Sequence, residues 1–294
     1  MRQKSVQNSN PVGDKLAKKP ALREVPAVTR AIRILRFLSK SSEPIGVVPL
    51  ARSLGMIPST CLHIIRVLCD NGMVSFDPRS KLYTLGPAVL AFSAAYSFSN
   101  PFPRVARQHL QTLSRSFDSA FAAMEQSGPD HCIVAAATDP VPGLSIRLSV
   151  GSRFPILVSA AGSCFAAFGH MTPQQLKEGF AKLRWDKPPT FNQWLKNIES
   201  TRASGYAVDS GNYMRGITVV ALPARDGEGH LRGCICAIGL REQLSDAVLG
   251  RLVEGLRKTT QLISRDLGHG AVPSSPDLPA GPKSGSIRRK GTRA

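Results

Sequence analysis

A predicted helix that begins near Pro58 and ends near Asn71 carries its polar side chains on one face. At about 100° per residue, Ser59, His63, Arg66 and Asp70 fall within roughly 60° of one another, opposite the apolar positions. Hydroxyl, imidazole and guanidinium groups are what proteins present to phosphates and base edges. The pattern therefore predicts a surface that contacts nucleic acid. A bundle helix with a solvated polar face is the alternative.

Two shorter helices precede this one and would position it. An amphipathic helix begins near Ala27, and a second runs from Val47 to Leu54 and is ended by Gly55. A short helix, a glycine turn and a helix with a small, polar, basic outer face are typical of a helix-turn-helix. In that arrangement the N-terminal half of the last helix enters the major groove, so Thr60 joins the predicted contacts.

A tight hairpin follows, with strand-like residues on either side of the turn Asp77-Pro78-Arg79-Ser80. Arg79 and Lys81 lie at its tip, where they could touch the sugar-phosphate backbone. Three helices and a basic hairpin predict a winged helix.

The net charge also favours a polyanionic partner. The chain of 294 residues has 38 Lys and Arg against 20 Asp and Glu, a formal charge of +18. Residues 1–23 and 271–294 hold half of this excess, and we expect residues 1–23 and 269–294 to be disordered basic tails. Such tails are solvated spacers or weak, salt-sensitive contacts to phosphates.

Other classes of protein are disfavoured. The polar N-terminus lacks a secretory signal, and no run of 18 apolar residues suggests a membrane span. Sequence motifs for nucleotide binding, serine hydrolysis and zinc hydrolysis are absent, so we predict no catalytic residues, metal or cofactor. Cys164 as a nucleophile and Cys234-x-Cys236 as a metal site are weighed against buried, reduced thiols, which we favour.

The first domain resembles the IclR family of bacterial transcription regulators. The segments that carry this resemblance are RAIRILRFL, PLARSLGMIPST and DPRSKLYTLGPAVL. The recognition helix of the family typically reads S-T-x-x-R, whereas this chain has His63 in place of the arginine. Histidine is a shorter and usually neutral donor, so the preferred DNA sequence cannot be carried over from relatives.

Beyond Ser119, strand-like and helical segments alternate in an order that suggests an antiparallel sheet with helices on its faces, an α+β domain. Strands are predicted at 120–126, 133–137, 145–150, 206–209, 218–223 and 231–240. Helices are predicted at 160–168, 173–183, 194–204 and 245–267. The segments VGSRFPILVSAAGSCFAAFG and GYAVDSGNYMRGITVVALPARDGEGHLRG again resemble the family, whose effector domain is GAF-like.

The predicted organisation has two domains. A winged helix-turn-helix spans residues 24–86, a linker helix residues 87–103, and the effector-binding domain residues 104–268. The resemblance implies that the linker helix packs against its partner in a dimer; an intramolecular spacer is the alternative.

The resemblance also implies an effector pocket. In the family, a loop that opens the helix near residue 160 offers backbone N–H groups to an acidic small molecule. This loop contains Ala160, Ala161, Gly162 and Ser163, after Ser159. Facing it, the family has an acidic residue, a cysteine and a Ser-x-Ser. The matching positions here hold Asn212, Val219, and Cys236 with Ile238; Asp209 completes the predicted set.

These replacements make the pocket less polar. Apolar burial contributes about 25 cal/mol per Å², whereas an unpaired buried carboxylate costs several kcal/mol. We therefore expect a ligand with more apolar body than glyoxylate or pyruvate, such as an aromatic acid. A filled core, or a pocket that has lost its ligand, is the alternative.

Together these features predict a cytoplasmic regulator, a homodimer or dimer of dimers, that binds a double-stranded DNA operator and a small organic acid. A GAF-like enzyme and a non-specific DNA-binding protein driven by its tails are the rival interpretations.

Overall fold

A computed structural model describes residues 24–117, 119–139 and 148–268 of the protein. The two predicted tails lie outside the described residues. The chain forms two compact units, and the division falls between Ala94 and Ala95.

The first unit is a small helical domain with a hairpin. Its elements are α1 (Pro26–Leu38), α2 (Val47–Ser53), α3 (Pro58–Asp70), β1 (Val74–Asp77) and β2 (Leu82–Leu85). Gly55 adopts a positive φ of 62° in the turn between α2 and α3, a conformation that favours glycine. The two helices meet at 110°, the angle expected of a helix-turn-helix.

One apolar core holds this unit together. Ile34 of α1, Leu50 of α2 and Ile65 of α3 are fully buried, and Val74 and Tyr83 of the hairpin pack against them. The predicted winged helix-turn-helix is therefore confirmed, and the α3 face opposite this core is left to solvent.

Helix α4 (Val89–Ser99) carries the chain from the first unit into the second, so the predicted linker, residues 87–103, contains α4 and the start of the next helix. In the part of the chain that the structure describes, no single helix is long and apolar enough to cross a membrane, and α2 with α3 passes that test only as a bent pair.

The second unit is an α+β domain with an antiparallel sheet, as predicted. Its helices are α5 (Phe102–Ser114), α6 (Ser159–Phe168), α7 (Pro173–Ala181), α8 (Phe191–Ser204) and α9 (Asp246–Gly268). Its strands are β3 (Ala120–Gln126), β4 (His131–Ala137), β5 (Arg153–Pro155), β6 (Ala207–Ser210), β7 (Ile217–Arg225) and β8 (Leu231–Leu240). The six strands pair in the order β5-β4-β3-β8-β7-β6.

The sheet separates two apolar cores. On one face, α6 packs over β7 and β8, and α8 packs against α6 and β6, through residues such as Phe165, Trp194 and Cys236. On the other face, α5 and α9 pack through residues such as Phe102 and Leu256. Side chains that alternate along a strand supply both cores.

The strand predicted at 145–150 needs correction. Residues 145–147 lie outside the described residues, and Leu148–Val150 are not in a strand. Gly151 turns the chain with φ of 87°, and its N–H donates to the Val134 carbonyl of β4. The strand that follows, β5, begins at Arg153, which pairs with Ile133 of β4.

Candidate functional site

The outer face of α3 presents the predicted polar residues. Ser59, His63 and Arg66 are exposed and Thr60 is half-buried, while Cys61 of the same helix is fully buried in the core. The helix begins at Pro58, and its first turn has no acidic residue. The face can therefore donate hydrogen bonds to an anionic partner without a local carboxylate at its N-terminal end.

The hairpin tip is organised by one carboxylate. The Ser80 hydroxyl donates to Asp77 at 2.6 Å and the Arg79 N–H donates at 3.0 Å. These hydrogen bonds, the Ser80 one foremost, lower the pKa of Asp77. Lys81 has φ of 58°, and its N–H donates to the Asp77 carbonyl at 2.8 Å. The tip is thus a closed turn that leaves the Arg79 and Lys81 side chains exposed.

These cations are available to phosphates. Among the residues that the structure describes, no acidic side chain forms an ion pair with Arg66, Arg79 or Lys81. Arg33 of α1 is used differently, because its guanidinium donates to the Leu54 carbonyl at 2.5 Å and ties α1 to the turn.

The second unit contains a cavity of about 270 Å³ where α6 meets the sheet. Five of the predicted effector residues line it: Ala161, Asp209, Val219, Cys236 and Ile238. Ala160, Gly162 and Ser163 are buried in α6 behind this wall. Asn212 does not line the cavity as described; its main-chain N–H instead donates to Asp209.

The remaining wall is mostly apolar and was not predicted from the sequence apart from Ser159. It consists of Ser159 together with Met124, Leu148, Phe154, Val158, Tyr213, Met214 and Ile217. Most of these residues are apolar and look like ordinary core residues in the sequence. Tyr213 and Met214 are the exception, because two glycines, Gly211 and Gly216, flank them and predict a loop; both glycines adopt a positive φ.

Asp209 is a buried acidic group in this wall, with 6% of its surface exposed. The Ser159 hydroxyl donates to Oδ2 at 2.6 Å, the Tyr213 N–H to the same oxygen at 3.3 Å, and the Asn212 N–H to Oδ1 at 3.0 Å. The cavity therefore keeps one carboxylate that is satisfied by three neutral donors.

The N-terminus of α6 opens at the same wall. The first-turn N–H groups of Ser159, Ala160 and Ala161 have no partner within a helix, and no side chain caps them. Ser159 has φ of 52°, which turns the chain into the helix. Gly162 lets α6 approach closely, because a Cβ there would lie 1.9 Å from the Leu157 carbonyl carbon. The cavity thus combines an apolar body with helix N–H groups suited to an anion.

Three buried thiols of the second unit favour the neutral form. Burial raises the pKa of Cys164 and of Cys234 well above the usual thiol value, and raises the pKa of Cys132 to about 12. Cys164 donates its Sγ–H to the Ala221 carbonyl at 3.2 Å. Neutral thiols are poor nucleophiles. No group of three His, Cys, Asp or Glu side chains within the described residues could hold a metal ion.

Two family descriptions match the chain. Residues 96–265 match the bacterial transcriptional regulator IclR C-terminal domain, and residues 27–78 match the IclR helix-turn-helix domain. The glycerol operon regulatory protein of Streptomyces griseus is 27% identical over 253 residues, which cover 84% of this chain and 98% of that protein. The DNA-binding transcriptional repressor YiaJ of Escherichia coli is 24% identical and covers 81% of this chain and 86% of its own length.

Solved structures share the fold. An IclR transcriptional regulator from Alicyclobacillus acidocaldarius superposes with a TM-score of 0.71 at 24% identity, covering 83% of this chain and all of that one. An IclR homologue from Microbacterium hydrocarbonoxydans, solved in complex with 4-hydroxybenzoate, gives 0.69 at 19% identity, covering 82% of this chain and 98% of that one.

Replacing Ser159 tests the buried contact to Asp209. Ser159→Ala leaves a buried carboxylate with two donors in place of three, and we expect a loss of about 1–3 kcal/mol in the free energy of unfolding. Urea unfolding measures it. Ser163→Ala, at a buried serine of the same helix, is the control and should change stability by less than about 1 kcal/mol. Equal stability of Ser159→Ala and the wild type would contradict this role.

Proposed function

Because the chain belongs to the IclR family of bacterial transcription regulators, we propose that it binds a specific operator and that a small aromatic acid sets its operator affinity. The family places a DNA-binding helix-turn-helix in the first unit and an effector domain in the second. The operator sequence and the acid are the parts that this chain's own residues must specify.

The exposed face of α3 carries the DNA-binding part of the proposal. Ser59, Thr60 and His63 lie in the half of the helix that a helix-turn-helix inserts into the major groove, and we assign them to base edges or phosphates. Arg66 lies one turn further along. Arg79 and Lys81 at the hairpin tip are assigned to the sugar-phosphate backbone.

A homodimer, or a dimer of dimers, follows from the linker. None of the α4 residues is buried, and even the large apolar side chains of Leu90 and Phe92 are 68% and 66% exposed. An apolar helix left in water is a typical docking face for a second copy. Two-fold symmetry then predicts two half-sites about one helical turn, or a multiple, apart. Such a regulator would act in the cytoplasm, where a bacterial operator lies.

The cavity supports an aromatic acid as effector. Its wall is apolar apart from Ser159, Asp209 and Tyr213, which suits an aromatic ring better than a two- or three-carbon acid. We place the ligand carboxylate against the N–H groups at the start of α6. The 4-hydroxybenzoate bound by the Microbacterium homologue supports this class of ligand.

Selection of bound sequences from random duplex DNA tests operator binding by the full-length protein. We expect a two-fold motif at physiological salt. Arg66→Ala should then weaken binding to this motif by about 1–3 kcal/mol, because a contact to a phosphate or base is lost. Lys196→Ala removes the same charge from an exposed position of α8, so the operator affinity of this control variant should stay within about twofold of the wild type.

Absence of any motif, together with a steep dependence on salt, would contradict specific binding. It would favour the rival interpretation, a protein that coats DNA through its basic tails.

Isothermal titration tests the ligand class. Benzoate should bind at least tenfold more tightly than pyruvate or glyoxylate, because an apolar body of this size is worth more than about 1.4 kcal/mol. Benzamide has the same ring without the charge, and it should bind more weakly than benzoate. Trp185 and Trp194 offer a second readout by fluorescence, since Trp185 contacts the cavity residue Tyr213.

A clear preference for the two small acids would contradict the aromatic assignment. No binding of any of these acids would favour a filled core.

A further inference from the structure

Glu125 of β3 is a buried carboxylate outside the cavity, with 8% of its surface exposed. The Tyr96 hydroxyl donates to Oε2, and the Asn100 side-chain amide donates to Oε1 at 2.7 Å. Asn100 also donates to the Tyr96 hydroxyl oxygen at 3.0 Å. These three residues form a closed triangle of hydrogen bonds, which we call the Glu125 network.

The Glu125 network fixes the C-terminal end of α4 to the sheet. Tyr96 belongs to α4, and Asn100 follows directly after its last residue. The side-chain Oδ1 of Asn100 accepts from the Phe102 N–H at 3.2 Å, which joins the network to the start of α5. Since α4 buries no side chain, these polar contacts carry much of its attachment to the second unit.

Tyr96 is a dependable donor in this network. Its partial burial, followed by the hydrogen bond to the Glu125 carboxylate, raises the pKa of Tyr96 to about 12. The phenol therefore keeps its proton at any physiological pH, and Glu125 has two neutral donors fixed against it.

The same strand reaches the ligand cavity one residue earlier. Met124 lines the cavity on the α6 face of the sheet, and alternation along β3 turns Glu125 to the α5 face. Within the sheet β3 is paired with β8 at this point, and the two strands approach so closely that a Cβ on Gly233 would lie 2.1 Å from the Met124 carbonyl oxygen. Because Met124 and Glu125 are consecutive residues of β3, a main-chain shift at Met124 moves Glu125 as well.

We propose that Glu125 is a positioning residue that transmits occupancy of the cavity through β3 to α4. The proposal rests on the proposed function for its biological meaning, since α4 is where the chain passes between the effector unit and the DNA-binding unit. The mechanism itself is a property of the fold. A group packed against Met124 fixes the position of β3, and the hydrogen bonds of the Glu125 network couple that position to the C-terminal end of α4.

Hydrogen exchange of the full-length protein tests this without DNA and without a known ligand. Val219→Phe places a larger side chain in the cavity and serves as a fixed occupant. In the wild-type background we expect it to slow amide exchange in peptides covering residues 89–99 by about threefold or more. In a Glu125→Gln background this slowing should be lost, because the glutamine amide has one acceptor oxygen in place of the two carboxylate oxygens that accept from Tyr96 and Asn100.

Tyr96→Phe keeps the half-exposed ring and removes only the hydroxyl, so it repeats the test if Glu125→Gln unfolds. Ser97→Ala, at an exposed neighbour on α4, is the control and should keep the full response. Slowing of the same size with and without the Glu125 network would overturn the proposal, as would no slowing in the wild-type background.

Benzoate as a second probe separates this proposal from the proposed function. If benzoate binds, it should reproduce the effect of Val219→Phe on α4 and lose it in Tyr96→Phe. If benzoate produces no heat on titration while Val219→Phe still acts through Glu125, the ligand class is wrong and the transmission holds.

Discussion

The architecture of the second unit depends on two central strands that are buried on both faces. In β8, every residue from Gly233 to Gly239 is buried, and β3 beside it is buried over most of its length. Strands of this kind need helices on both sides. Covering one face with α6 and α8 leaves the cavity, and covering the other with α5 and α9 creates a solid core. The cavity is thus a space between α6 and the sheet that side chains do not fill completely.

The chemistry of the cavity follows from how α6 is seated. Gly162 allows the helix to lie against Leu157, and this brings its first N–H groups to the cavity wall. The same seating puts the Ser159 hydroxyl on Asp209, so the one acidic side chain in the wall is already satisfied. What is left for a ligand is an apolar space with main-chain donors at one end, which fits an acid with a substantial apolar body.

Helices and strands lie where the sequence predicts them when the spacing of apolar residues and the turn residues indicate the same boundary. The recognition helix α3 starts at Pro58 as expected, and the wing follows from its Asp-Pro turn and flanking strands. Prediction was wrong where pairing is non-local: Leu148–Val150 were expected in a strand, but the described strand at this edge is β5, which begins at Arg153 after the turn at Gly151. Local pattern carries no information about such a partner.

The cavity was predicted in part for the same reason. Family resemblance supplied Ala161, Val219 and Cys236, but no pattern distinguishes Met124 or Phe154 from ordinary core residues. Asn212, expected to face the ligand, contributes only a main-chain N–H to Asp209. A wall assembled from five separate segments is visible only after the sheet has formed.

The most direct test of the account is the affinity of the full-length protein for its selected operator at increasing benzoate concentration, measured by fluorescence anisotropy. The account predicts a saturating change of about 1–3 kcal/mol in operator binding, with a midpoint that matches the benzoate affinity measured by calorimetry. An operator affinity that stays constant while benzoate saturates the cavity would contradict it.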